Sequence, residues 1–60
     1  MKEKIKNMPL RYVTNKEAYE IRKAWLFIPF YDLTYLYNED LLIEGEIGIL
    51  NGERIIEKNE

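Results

Sequence analysis

The spacing of the apolar positions changes along the chain, and each change marks an element. Ala18, Ile21, Trp25 and Ile28 recur three or four apart, the stripe of an amphipathic helix, with Lys16, Glu20 and Lys23 lying off it. Thr14-Asn15-Lys16-Glu17 precedes the stripe as a capping box: a threonine N-cap, then a glutamate placed to reach back to its amide. Pro29 disfavours helical angles at Ile28, so the helix is predicted to end near Leu26–Phe27. Upstream, Met8-Pro9 opens a short extended piece from Leu10 to Val13, and residues 1–9 read as a flexible basic arm.

Toward the other end the period falls to two. Leu41, Ile43, Ile47 and Ile49 alternate with Glu44, Glu46 and Gly48, as in a strand buried on one face. Asn51-Gly52 is a type I′ hairpin signal, and Glu53 to Glu57 is the return strand. A two-residue loop pairs Leu50 with Glu53, Ile47 with Ile56 and Glu46 with Glu57. The Ile47–Ile56 pair favours this register, and the like-charged Glu46–Glu57 pair opposes it. Gly45 and Gly48 mark a bulge or a close backbone approach.

Residues 30–38 carry both periods. Asp32 suits the cap of a short helix presenting Leu33, Leu36 and Tyr37, whereas Phe30-Tyr31 and Thr34 to Tyr37 have strand character. Pro29 and Asp32 tilt the balance to a helical turn. The expected fold is α+β, a single small domain over residues 1–60. It comprises the basic arm, one capped helix, a short aromatic turn or helix and a C-terminal antiparallel hairpin. The Ala18–Ile21–Trp25 stripe is expected on the Leu41–Ile43–Ile47–Ile49 face, with Trp25 and Leu33 in the core.

Length limits what such a fold can hold. A chain of 60 residues buries only about 60% of the surface that it exposes when unfolded. Small domains usually need a disulfide, a metal or another subunit as a staple. Cysteine and histidine are both absent, which removes disulfides and a structural zinc site and leaves homo-oligomerisation. The longest apolar stretch, Ala24 to Leu36, is interrupted by Pro29, Asp32 and Thr34 and is too short to span a bilayer. No secretory signal follows the charged N-terminus, so the expected location is the cytoplasm.

Charge is sorted by position. Residues 1–23 hold seven basic and three acidic side chains, net 7 − 3 = +4, and residues 24–60 hold two basic and eight acidic ones, net 2 − 8 = −6. Such a dipole gives the molecule a preferred direction for meeting a charged partner.

Catalysis is a poor fit. There is no histidine to move protons near neutral pH, and no serine or cysteine nucleophile. Pairs such as Asp32 with Glu39 or Glu39 with Asp40 read as a solvated acidic face. Glu44, Glu46 and Glu57 would form an acidic stripe on the outer hairpin face, without the spacing of a calcium loop. No enzyme, no cofactor and no metal is expected.

Two binding functions remain. Lys16, Arg22 and Lys23 on the helix are placed to meet phosphates, and Arg54 beside the hairpin tip to enter a groove. A capped helix beginning Val13-Thr14-Asn15-Lys16-Glu17-Ala18, followed by a second short helix and the Asn51-Gly52 hairpin, resembles the small winged-helix regulators of the excisionase type. That resemblance implies DNA binding through residues 30–40, yet this segment holds no Lys or Arg and contains Asp32, Glu39 and Asp40. The aromatic block from Trp25 to Tyr37 favours the other class. It holds more aromatics than so small a core encloses, and Tyr and Trp are favoured anchors at protein interfaces. The leading expectation is therefore a small non-enzymatic interaction or regulatory protein that self-associates and binds another protein through Phe30, Tyr31, Tyr35 and Tyr37. Small accessory proteins of viruses and plasmids have this size and character. A winged-helix-like DNA-binding regulator is the alternative.

Overall fold

Arg54, Ile55 and Ile56 are all buried although they are consecutive, which requires a strand covered on both faces. In the computed structural model, which describes residues 6–33 and 42–58, that strand is the last of four. The elements are β1 (Leu10–Val13), α1 (Asn15–Arg22), β2 (Ile28–Pro29), α2 (Phe30–Leu33), β3 (Glu46–Leu50) and β4 (Glu53–Glu57). They build a small α+β fold around a mixed sheet of order β1-β4-β3-β2. β4 runs parallel to β1 and antiparallel to β3, and β2 pairs antiparallel with β3.

The local signals act as their chemistry requires. Thr14 caps α1, its Oγ1 accepting the Glu17 N–H at 3.2 Å. The Glu17 carboxylate does not complete the box; it takes a hydrogen bond from Arg11 Nη2 instead. Asn51 and Gly52 adopt φ of 52° and 82°, the positive values that a type I′ turn demands, and Leu50 pairs with Glu53 as expected.

The expected register holds through the Ile49–Arg54 and Gly48–Ile55 pairs and shifts by one residue beyond them. Glu46 lies opposite Ile56, Gly48 opposite Ile55, and the intervening Ile47 forms a bulge. The reason is steric. A side chain at Gly48, where φ is 155°, would come within 2.3 Å of the Ile28 carbonyl oxygen and 2.7 Å of the Phe27 ring. Only glycine lets β2 and Phe27 close onto β3 there. The extra residue moves Glu46 away from Glu57 and removes the like-charged pair. It also places Ile47 and Ile49 in separate clusters, so the hairpin does not offer them to the helix on one face.

Each face of the sheet has its own cluster. On one side Ala18 and Ile21 of α1 pack on Val13 and Ile55, joined by Phe27, Ile47 and Leu50. On the other, Leu33 of α2 meets Ile49, with Met8, Phe30 and Leu42 around them. Met8 thus belongs to the packed domain, and the Pro9 carbonyl accepts the Arg54 N–H at 2.8 Å, so the arm expected over residues 1–9 does not include them. β3 starts only at Glu46, after a turn in which the Glu46 N–H donates to the Ile43 carbonyl at 2.9 Å. Leu41 and Leu36 lie outside the described residues.

A second departure concerns the end of α1. The helix stops at Arg22 with Lys23 as its C-cap, short of the expected Leu26–Phe27. The Lys23 and Ala24 N–H groups donate to the Glu20 and Ile21 carbonyls three residues back, which tightens the last turn. Phe27 must reverse to reach the cluster under Gly48, and Ile28 must be extended to pair with Ile49. A helix prolonged to Phe27 allows neither.

Candidate interaction surface

Leaving the helix early has a large effect on Trp25. The Phe27 N–H donates to the Ala24 carbonyl at 3.3 Å, so Trp25 and Leu26 occupy the two central positions of a turn. Side chains at such corners point away from the body of the chain. Trp25 is 96% exposed and Leu26 64%. Trp25 was expected in the core, and the structure corrects this; Leu33 is buried as expected. Turn corners normally carry Gly, Asn, Asp, Pro or Ser, whose backbone or hydrogen-bonding properties suit them. Tryptophan and leucine bring neither advantage and leave apolar area in water.

The exposed apolar residues continue beyond the turn. Ile28, on the edge strand β2, is 46% exposed, and Tyr31 in α2 is 74% exposed. Phe30 is half-buried against Leu33 and Ile49, so of the expected aromatic anchors it is mainly a packing residue. Tyr35 and Tyr37 lie outside the described residues. An open groove lies beside Tyr31, with Arg22, Phe27, Pro29, Phe30 and Asp32 among its lining.

The cations divide into free and engaged ones. Lys16 is exposed, and Lys23 is exposed with its Nζ 4.3 Å from the centre of the Tyr19 ring. Arg22 donates to Glu57 Oε1 at 2.8 Å. Arg54, expected at the hairpin tip, is 4% exposed and ion-paired with Glu46; its alternation with Ile55 turns it into the sheet rather than toward a groove. Arg11 Nη1 stands 4.0 Å from Glu53 in addition to its bond with Glu17. The Asn15 amide is within 2.8 Å of the Lys58 carbonyl and 2.9 Å of Glu57 Oε2, both acceptors, so its nitrogen faces them. Two of these contacts, Arg22 with Glu57 and Arg11 with Glu53, join the basic and acidic halves of the sequence, where β1 and α1 lie beside β4.

The acidic stripe expected from Glu44, Glu46 and Glu57 does not form. The Glu46 side chain is 1% exposed on the Arg54 side, and Glu57 faces α1. Among the described residues no group of three or more acidic side chains is placed to hold a metal ion. Nor is any described helix long and apolar enough to cross a membrane.

Sequence reasoning missed Trp25, Leu26 and Ile28 as surface residues. A signal was available in the apolar run Trp25-Leu26-Phe27. A helix packed on a sheet buries one stripe, so three consecutive apolar residues cannot all face inward. Comparison with protein-family models, with curated proteins and with solved structures returns no match.

Proposed function

We propose that this chain is a small non-enzymatic interaction protein that self-associates and binds a protein partner through the surface formed by Trp25, Leu26, Ile28 and Tyr31. The observation carrying this reading is the Trp25–Leu26 corner, where the chain places a large aromatic and a large aliphatic side chain in water. Tryptophan is among the most enriched anchors at protein interfaces, and exposed apolar groups of this size have no folding role to account for them. Salt bridges within the fold leave apolar contact, rather than charge, as the main source of affinity, with Lys16 and Lys23 orienting the encounter.

The nucleic-acid alternative keeps Lys16 and Lys23 with Tyr19 beside them. It loses Arg54 to the sheet interior and shares Arg22 with Glu57.

Trp25 is the only tryptophan, so its fluorescence reports directly on the corner. The purified protein should show emission typical of tryptophan in water when dilute, shifting to the blue when a partner covers it. The purified candidate partner should lose affinity about a hundredfold for Trp25→Ala, as expected of an interface anchor. A partner bound equally well by Trp25→Ala would overturn the assignment. Salt-sensitive binding to a mixed-sequence DNA duplex, abolished by Lys16→Ala with Lys23→Ala, would replace it with the nucleic-acid reading.

A further inference from the structure

The hydrogen bonds at the two ends of β1 fix which of its peptide groups face outward. The Pro9 carbonyl accepts from the Arg54 N–H at 2.8 Å and the Val13 carbonyl from the Lys58 N–H at 2.7 Å. With the period of two along a strand, Pro9, Arg11 and Val13 direct their peptide groups to β4. Leu10 and Tyr12 direct theirs away from β4, to the side of β1 on which no strand lies among the described residues. The row ends there, because the Thr14 carbonyl accepts the Ala18 N–H at 2.8 Å. The edge thus offers the N–H and C=O of Leu10 and of Tyr12.

We propose that a second copy of the chain closes this edge, β1 pairing antiparallel with the other β1 about a two-fold axis at Arg11. This deepens the self-association in the function proposed above and rests on it. In that register Leu10 of one copy faces Tyr12 of the other, and each such pair exchanges two hydrogen bonds. All the outward peptide groups are used. Moving the axis to Tyr12 sets Leu10 against Thr14, whose carbonyl is committed to α1.

The side chains fit the same axis. Leu10 and Tyr12 are 43% and 52% exposed on one sheet face, and the pairing joins them as aliphatic–aromatic cross-strand pairs. On the other face the two Arg11 residues meet. Each already binds its own Glu17 and stands near Glu53, which offsets the repulsion between like charges set opposite each other. The register is its own mate: the two-fold axis at Arg11 pairs the outward peptide groups of Leu10 and Tyr12 with the same set on the other copy. No proline lies within Leu10–Val13, so each outward-facing residue of the strand keeps its N–H donor. A chain this short also gains most from a partner subunit.

Backbone amide exchange followed by NMR over a range of protein concentrations, with sedimentation equilibrium in parallel, tests the proposal. Arg11 and Val13 should be protected throughout, whereas Leu10 and Tyr12 should gain protection as dimer forms. Tyr12→Pro removes an outward donor and leaves the inward ladder intact, and Leu10→Lys puts a charge opposite Tyr12 without altering the backbone. Either variant, shown by circular dichroism to be folded, should dimerise at least about tenfold more weakly, since the two-fold axis doubles each lost contact. A dimer whose Leu10 and Tyr12 amides exchange freely, or which survives both variants, overturns the proposal and leaves self-association through another surface. A wild-type protein that stays monomeric at every concentration overturns both. Protection of Leu10 and Tyr12 only on adding a different protein overturns the second copy as occupant.

Discussion

Glu46 grips Arg54 from a diagonal position across the hairpin. The Arg54 Nη2 donates to Glu46 Oε1 at 2.7 Å and its Nε to Oε2 at 2.9 Å, a parallel pair of charge-assisted bonds with both side chains almost fully enclosed. The bulge at Ile47 makes the grip possible, because it turns Glu46 to the face of the sheet that Arg54 occupies. The Ile43 N–H also donates to Glu46 Oε1 at 3.3 Å, so one carboxylate holds both the strand and the turn leading into it.

Removing either partner strands a buried charge. Glu46→Ala and Arg54→Ala should each cost about 3–5 kcal/mol, comparable to the whole stability expected of so small a domain. Both variants should therefore be largely unfolded by circular dichroism at 25 °C. The double variant should cost clearly less than the sum of the two, as urea unfolding in a more stable background would show.

The two hairpin glycines should respond differently to the same substitution. Gly52→Ala meets nothing within 4 Å and adds only the strain of a positive φ, about 1–2 kcal/mol. Gly48→Ala collides with the Ile28 backbone and the Phe27 ring, and overpacking of that kind adds about 1–3 kcal/mol or more. The urea midpoint should fall further for Gly48→Ala, and the Ile28 amide should lose protection only in that variant.

Trp25→Ala separates surface from core. A side chain 96% exposed contributes little to folding, so stability should change by no more than about 0.5 kcal/mol. Thermal unfolding of wild type and variant should superimpose. A drop of several degrees would mean that Trp25 is packed in solution.

The Thr14 cap should be worth its usual amount. Thr14→Ala should destabilise by about 1 kcal/mol, and Thr14→Asp should recover most of that. Chemical denaturation of the three proteins under the same buffer conditions provides the comparison.

How much of this was legible depended on range. The Thr14 cap, the Leu10–Val13 extension and the Asn51-Gly52 turn could be read because neighbouring residues determine them. The end of α1 could not, since Pro29 marks only the last position at which the helix must have stopped. Phe27 stops it sooner by packing under Gly48, far along the chain. The bulge was foreshadowed by Gly48, but its effect on register depended on the approach of Ile28. Arg54 looked like a surface cation because a charge within a strand usually is one. Its burial required Glu46 on the same face, and only the bulge arranges that. Within the aromatic block Tyr31 is exposed and Phe30 packs against Leu33 and Ile49, while the assignment of Trp25 to the core was reversed by a single turn.

The sheet order has a consequence for how the molecule comes into being. β1 finds its neighbour in β4, with Leu10 beside Arg54, so β1 is made well before the strand it pairs with. Until then Val13, Ala18 and Ile21 lack the Ile55 side chain that completes their cluster. Pairing at such range is slow to close, and the helix alone is too short to persist. A nascent chain stalled or clipped before Ile55 would carry its apolar groups uncovered, as a substrate for chaperones and proteases rather than a smaller version of the domain.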